Sequence, residues 1–117
     1  MTEFRAETEL LADETPVVSV AGELDMYTAP AFEEELLKVA NSGAGRIVVD
    51  LSECEFLDST ALEVLVRVRK RLGEHDDRLL LVASHRNIVK VFEITGLDRA
   101  FTIVATRASA LNGGVRV

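Results

Sequence analysis

Tryptophan is absent, tyrosine occurs once and only five phenylalanines complete the aromatic set, so any core has to be mostly aliphatic. Cysteine also occurs once, as Cys54, which excludes an internal disulfide. No cation or base lies near it in sequence to make a thiolate nucleophile, so Cys54 reads as a structural residue. No apolar run approaches the roughly 18 residues of a membrane span, and no charged segment leads into an apolar one at the N-terminus. The expectation is a cytoplasmic protein. Glycine-rich phosphate loops are missing: Gly22, Gly43, Gly45 and Gly73 stand alone or mark ends, and no Walker lysine follows any of them. There is no His-Glu-x-x-His and no cysteine–histidine cluster, so neither a metal nor a cofactor is expected. Basic residues are the minority, 13 against 20 acidic, for a formal charge of −7. That balance argues against nucleic acid and anionic membranes as partners and allows a protein with a basic surface.

What is present is a pattern of elements. At 117 residues, 48% of them apolar, the chain suits one hydrophobic core and one domain, with an ordered part of about residues 3–111 and a frayed tail at 112–117. Phe4, Ala6, Thr8 and Leu10 alternate with Arg5, Glu7 and Glu9, which predicts a half-exposed edge strand. A turn at Asp13-Glu-Thr-Pro16 leads to a buried strand over 17–21, its hairpin partner. Gly22 to Tyr27 reads as a connection, with Thr28 as helix N-cap and Pro30 in the first turn. Phe32, Leu36, Val39 and Ala40 share one helical face, while Glu33, Glu34 and Glu35 form a solvated or partner-facing one. A strand over 47–50 or 51 ends in the carboxylate of Asp50, and an acidic, hydroxyl-rich connection follows to Asp58.

From Ser59 or Thr60 to Leu72 the spacing becomes helical, with Ala61, Leu62, Leu65, Val68 and Leu72 as the buried stripe, widened by Val64 and Val66. Thr60 and Glu63 fit a capping box, and Glu63 and Arg67 fit an i,i+4 ion pair. A fourth strand is predicted over 79–83, then a helix capped by Asn87 with Ile88, Val91, Phe92 and Thr95 on one face and Gly96 at its C′ position. A short strand over 101–104 and a helix over 106–111 close the order β-β-α-β-α-β-α-β-α. Repeated right-handed βα crossover predicts an α/β fold: a small, mixed, mostly parallel sheet with helices packed on it and an N-terminal β-hairpin.

The chemistry concentrates at the junction between the third strand and the second helix. Asp25, Asp50 and Asp58 are each predicted just past a strand's end, where the fold could bring them to one rim. Ser59 has no histidine or lysine beside it and no Gly-x-Ser-x-Gly elbow around it, so a hydrolase is not supported. His75 sits in a charged segment, and His85 reads as a surface loop residue. Two readings of Ser59 and Thr60 stay open: the hydroxyls cap the helix, or one is an acceptor for another protein's kinase. In the second case phosphorylation would place nearly two negative charges at a helix N-terminus beside carboxylates, an electrostatic switch on a binding surface.

Three segments resemble one family: Gly22-Glu-Leu-Asp25-Met-Tyr-Thr-Ala-Pro30, Ile47-Val-Val-Asp50-Leu-Ser with Phe56-Leu-Asp58-Ser59-Thr60-Ala61-Leu62, and Val91-Phe-Glu-Ile-Thr-Gly-Leu-Asp98. Over nearly its whole length the chain resembles the STAS domain family, specifically the bacterial anti-sigma factor antagonists of the SpoIIAA and RsbV type. The resemblance implies a non-enzymatic switch. An anti-sigma factor that is a serine kinase phosphorylates Ser59, Thr60 being the less favoured acceptor. The unphosphorylated antagonist binds that kinase and frees the sigma factor, phosphorylation abolishes binding, and a PP2C-type phosphatase restores it. The implied docking surface comprises Asp25, Met26, Tyr27, Thr28, Asp58, Ser59, Thr60, Ala61 and Glu63, on a monomer or weak dimer. Many members have Gly at the Ala61 position, so its methyl group is expected to crowd a closely approaching partner. The competing readings are an adaptor STAS subunit of a larger signalling complex, a receiver-like phosphoacceptor using Asp50, and a nucleotide-binding enzyme.

Overall fold

A computed structural model describes residues 3–73 and 78–111; the expectations for His75 and for a tail at 112–117 fall outside these described residues. The elements are β1 (Arg5–Leu10), β2 (Pro16–Leu24), α1 (Ala29–Asn41), β3 (Ile47–Leu57), α2 (Ser59–Leu72), β4 (Leu79–Val82), α3 (Arg86–Thr95), a 3-10 turn (Leu97–Arg99), β5 (Thr102–Val104) and α4 (Arg107–Leu111). The strands lie side by side in chain order, β1 antiparallel to β2 and every later pair parallel. This is the mixed, mostly parallel α/β sheet with an N-terminal hairpin that the periodicities predict.

The topology decides where the helices go. Three successive crossovers of the same hand, all stepping in the same direction across the sheet, put α1, α2 and α3 on one face. The alternation of each strand then sorts its residues. Val18 and Val20 of β2, Ile47, Val49 and Leu51 of β3 and Leu79 and Leu81 of β4 join the core under those helices, with Phe32 and Leu36 from α1, Leu65 and Val68 from α2 and Ile88 and Phe92 from α3. Burying each of these side chains contributes about 1.5–3 kcal/mol before entropy is counted. Val17, Val48, Leu80, Val82 and Val104 point the other way, and the short α4 covers them with Ala110. Gly96 ends α3 with φ +76°, in the left-handed region that glycine enters without steric cost, as predicted.

Two strands are longer than their composition suggests. β2 continues through Gly22, Glu23 and Leu24, and β3 through Leu57, so Gly22 pairs with Cys54, Glu23 with Phe56 and Leu24 with Leu57. The acidic stretch after Asp50 is therefore strand and not connection. Leu24, Cys54 and Leu57 are buried while Glu53, Glu55 and Phe56 are exposed. β4 pairs with β3 only as far as Asp50 opposite Val82, and β1 reaches β2 only to Ala21, so the tip of the β2–β3 ribbon extends past its neighbours.

Several local expectations need correction. Arg67 donates its hydrogen bonds not to Glu63, which contributes only its charge, but to Glu33 of α1, in a bidentate pair at 2.8 and 2.9 Å that holds Glu33 below the usual carboxylate range. Glu35 is likewise lowered by a hydrogen bond from Thr8 and by Lys38, so of the three glutamates only Glu34 is fully exposed. α3 starts two residues earlier than predicted, with His85 rather than Asn87 in the cap position and no side-chain cap.

Candidate functional site

The ribbon tip delivers two segments to one place. After Leu24 the chain turns through Asp25–Thr28 into α1; after Leu57 it turns through Asp58 into α2. The two turns are tied by the backbone, since Asp58 N–H donates to the Leu24 carbonyl at 3.0 Å. Asp25 and Asp58 are thus neighbours, as predicted. Asp50 is not with them. It lies inside β3, 7% exposed, on the face that α4 covers.

Each turn is locked by its own aspartate. Asp25 Oδ1 accepts the amides of Tyr27 at 2.9 Å and Thr28 at 3.1 Å. The Thr28 hydroxyl accepts Asp25 N–H at 2.9 Å and donates to the Glu23 carbonyl at 2.8 Å. Thr28 holds the cap position of α1 as expected, but its side chain braces the loop instead of the helix amides. A loop folded back on itself leaves its middle residues outside: Met26 is 62% exposed and Tyr27 84%.

At α2 the cap is Asp58. Its Oδ1 accepts the amides of Thr60 at 3.0 Å and Ala61 at 3.2 Å, and its carbonyl takes the Leu62 amide at 3.2 Å. The predicted capping box of Thr60 and Glu63 is replaced by this arrangement, because a carboxylate competes best for two amides at the positive end of a helix. Ser59 becomes the first helical residue. It is exposed, and no described residue hydrogen-bonds its side chain. Beside it lies an open, mostly apolar groove of about 380 Å³ lined by Ser59, Leu62, Glu63, Val66, Arg67 and Leu97. Thr60 is half-buried and Glu63 exposed. Ala61 is fully buried, its methyl group in the core under α2, so the expected crowding of a partner by that methyl does not arise.

The profile described as "Mlab, STAS domain" matches residues 8–105. The chain belongs to the STAS domain family. Within it, this STAS domain is 40% identical over 80 residues to the anti-sigma-B factor antagonist of Staphylococcus aureus (strain NCTC 8325 / PS 47), covering 68% of this chain and 74% of that one. A crystal structure of an anti-sigma factor antagonist from Mycobacterium paratuberculosis superposes with a TM-score of 0.85 at 34% identity, over 94% of this chain and 92% of that one. SpoIIAA in its unphosphorylated form shares the fold, with a TM-score of 0.68 at 19% identity over 92% and 96% of the two chains.

The remaining candidates find structural roles or none. Asp50 sits at the centre of a cluster that local sequence did not announce. Arg107 of α4 donates to Asp50 Oδ2 at 2.6 Å, to Glu9 of β1 at 2.5 Å and to Ser19 of β2 at 2.6 Å, while Ser52 donates to Asp50 Oδ1 from its amide and its hydroxyl. Burial pushes the Asp50 carboxyl up, but the hydrogen bonds from Ser52 and Arg107 outweigh it and hold the group below the usual carboxylate range. A receiver-like role for Asp50 would need an accessible carboxylate among metal ligands. The side chain is instead enclosed, and no group of three acidic, histidine or cysteine side chains among the described residues could hold a metal ion. Cys54 is buried, and burial pushes its thiol up. His85 is exposed. No described helix is long and apolar enough to cross a membrane.

Proposed function

We propose that this STAS domain, residues 1–117 as one unit, is an anti-sigma factor antagonist switched by phosphorylation at Ser59. The supporting observation is the position of Ser59: exposed, its side chain free of hydrogen bonds to described residues, and set between the Asp25–Thr28 loop and an apolar groove, in a chain 40% identical to an anti-sigma-B factor antagonist. Unphosphorylated, the domain docks through Met26, Tyr27, the groove and the start of α2 on a cytoplasmic anti-sigma factor that is also a serine kinase, and so releases the sigma factor. The kinase transfers the γ-phosphoryl of ATP. A bond forms between Ser59 Oγ and phosphorus, the bond from phosphorus to the ADP oxygen breaks, and the hydroxyl proton passes to a base of the kinase. The new dianion stands beside Asp58 and Asp25, and charge repulsion and desolvation cost then oppose redocking. A PP2C-type phosphatase returns the hydroxyl by hydrolysis, with inorganic phosphate leaving.

The test incubates the chain with the kinase-type anti-sigma factors of its own genome and Mg·ATP, locates phosphate by mass spectrometry and measures binding by calorimetry. Ser59→Ala should bind without accepting phosphate at that position, and Ser59→Asp should bind at least about tenfold more weakly, a loss of about 1.4 kcal/mol. Phosphate found only at other residues would refute the assignment.

A further inference from the structure

Asp58, Ser59 and Thr60 are three consecutive residues of the types that cap helices, and only one can hold the cap position of α2. Whichever does so commits its side-chain oxygen to amides two or three residues ahead. We infer that Asp58 is a positioning residue for phosphoryl transfer: by taking the cap it keeps the Ser59 hydroxyl unclaimed. This inference rests on the reading of Ser59 as the acceptor.

The geometry supports it from two sides. The Asp58 carboxylate holds the Thr60 and Ala61 amides, and its extended backbone, φ −108° and ψ −177°, is that of a cap residue. Its own N–H is held by the Leu24 carbonyl, which fixes the entry of α2 to the end of β2. Ser59 can therefore only be the first helical residue, with its Oγ outside the helix. Without the carboxylate, Ser59 is the next residue able to cap. Its Oγ would turn back to accept an amide one residue further along, and attack on phosphorus would begin from a hydroxyl bonded to its own helix. A second consequence follows for the product. The Thr60 and Ala61 amides are already held by the Asp58 carboxylate, so the dianion cannot take them without displacing it and is left facing the partner.

The experiment separates cap from charge. Asp58→Asn and Asp58→Ser keep an acceptor and remove the charge; Asp58→Ala and Asp58→Gly remove both, the glycine form costing the helix little. With the kinase that modifies Ser59 in the wild-type chain, kcat for Asp58→Ala and Asp58→Gly should fall about tenfold, equivalent to about 1.4 kcal/mol. Their KM should change less than kcat and the Asn and Ser forms should recover most of the rate, as expected when the loss lies in the chemical step more than in docking. A readout without kinase uses chains made with phosphoserine at position 59. Phosphate should raise the Tm of Asp58→Gly, where it can take the vacated cap, and should not raise that of the wild type. Wild-type kcat in the Ala and Gly forms, Asn and Ser forms as slow as Ala, or equal phosphate effects on Tm in both backgrounds would each overturn the inference. A wild-type chain left unmodified at Ser59 would instead overturn the acceptor reading beneath it.

Discussion

Arg107 ties three strands together with one side chain, and the cost of losing it depends on pH. The folded-state pKa of Asp50 lies below its unfolded value of about 3.9. The stabilisation from this carboxylate is therefore fully present above about pH 4 and is lost as pH falls through the lower, folded-state value. Arg107→Ala leaves Asp50 enclosed without its cation and also frees Glu9, the other carboxylate on the guanidinium. Urea titration at pH 7 should show a loss of about 1–2 kcal/mol, below the figure for a fully buried pair because solvent reaches Arg107. Titrations repeated toward pH 3 should show that difference shrinking. A difference that stays constant across this range would mean that Arg107 acts through packing on α4 and not through Asp50.

At the scale of elements, α2 is held by its buried stripe far more than by its ion pair. Leu65 is fully buried, and Leu65→Ala should cost about 2–5 kcal/mol in chemical denaturation. Arg67→Ala should cost far less than Leu65→Ala despite the two-bond geometry, because its side chain is 55% exposed and solvent screens the pair. The same contrast explains what could be read in advance. The stripe of α2 was legible because a period of 3.6 needs no partner to be recognised, and so was the position of Ser59 at the helix start. The outer halves of β2 and β3 were not. Glu53, Glu55 and Ser52 have the composition of a loop, and only pairing with Gly22–Leu24, about thirty residues earlier in the chain, makes them strand. Asp50 was misplaced for the same reason. A strand assumed to stop at residue 50 leaves a carboxylate at its rim, whereas the real strand encloses it and finds it a cation 57 residues away. Which of three cap-forming residues wins at α2 is likewise settled by the tether to Leu24, a contact that composition does not encode.

For the molecule as a whole, the two faces of the sheet divide the work. The face under α1, α2 and α3 carries the core and leads to the Ser59 rim, while the face under α4 carries the Arg107 cluster. The net charge of −7 acts beyond either face and would favour a proposed partner of opposite sign. Stopped-flow association with the proposed kinase-type anti-sigma factor should slow by about tenfold or more between low and about 0.5 M salt, with a smaller change in dissociation. A rate indifferent to salt would remove charge from the recognition step. The scarcity of aromatic residues has an optical consequence. Tyr27 is the chain's one tyrosine, no tryptophan masks its emission, and it is held outward on the loop that adjoins Asp58 and Ser59. Fluorescence excited where phenylalanine does not absorb therefore comes from a single point on the proposed docking surface, and the molecule carries its own reporter where a label would otherwise have to be attached.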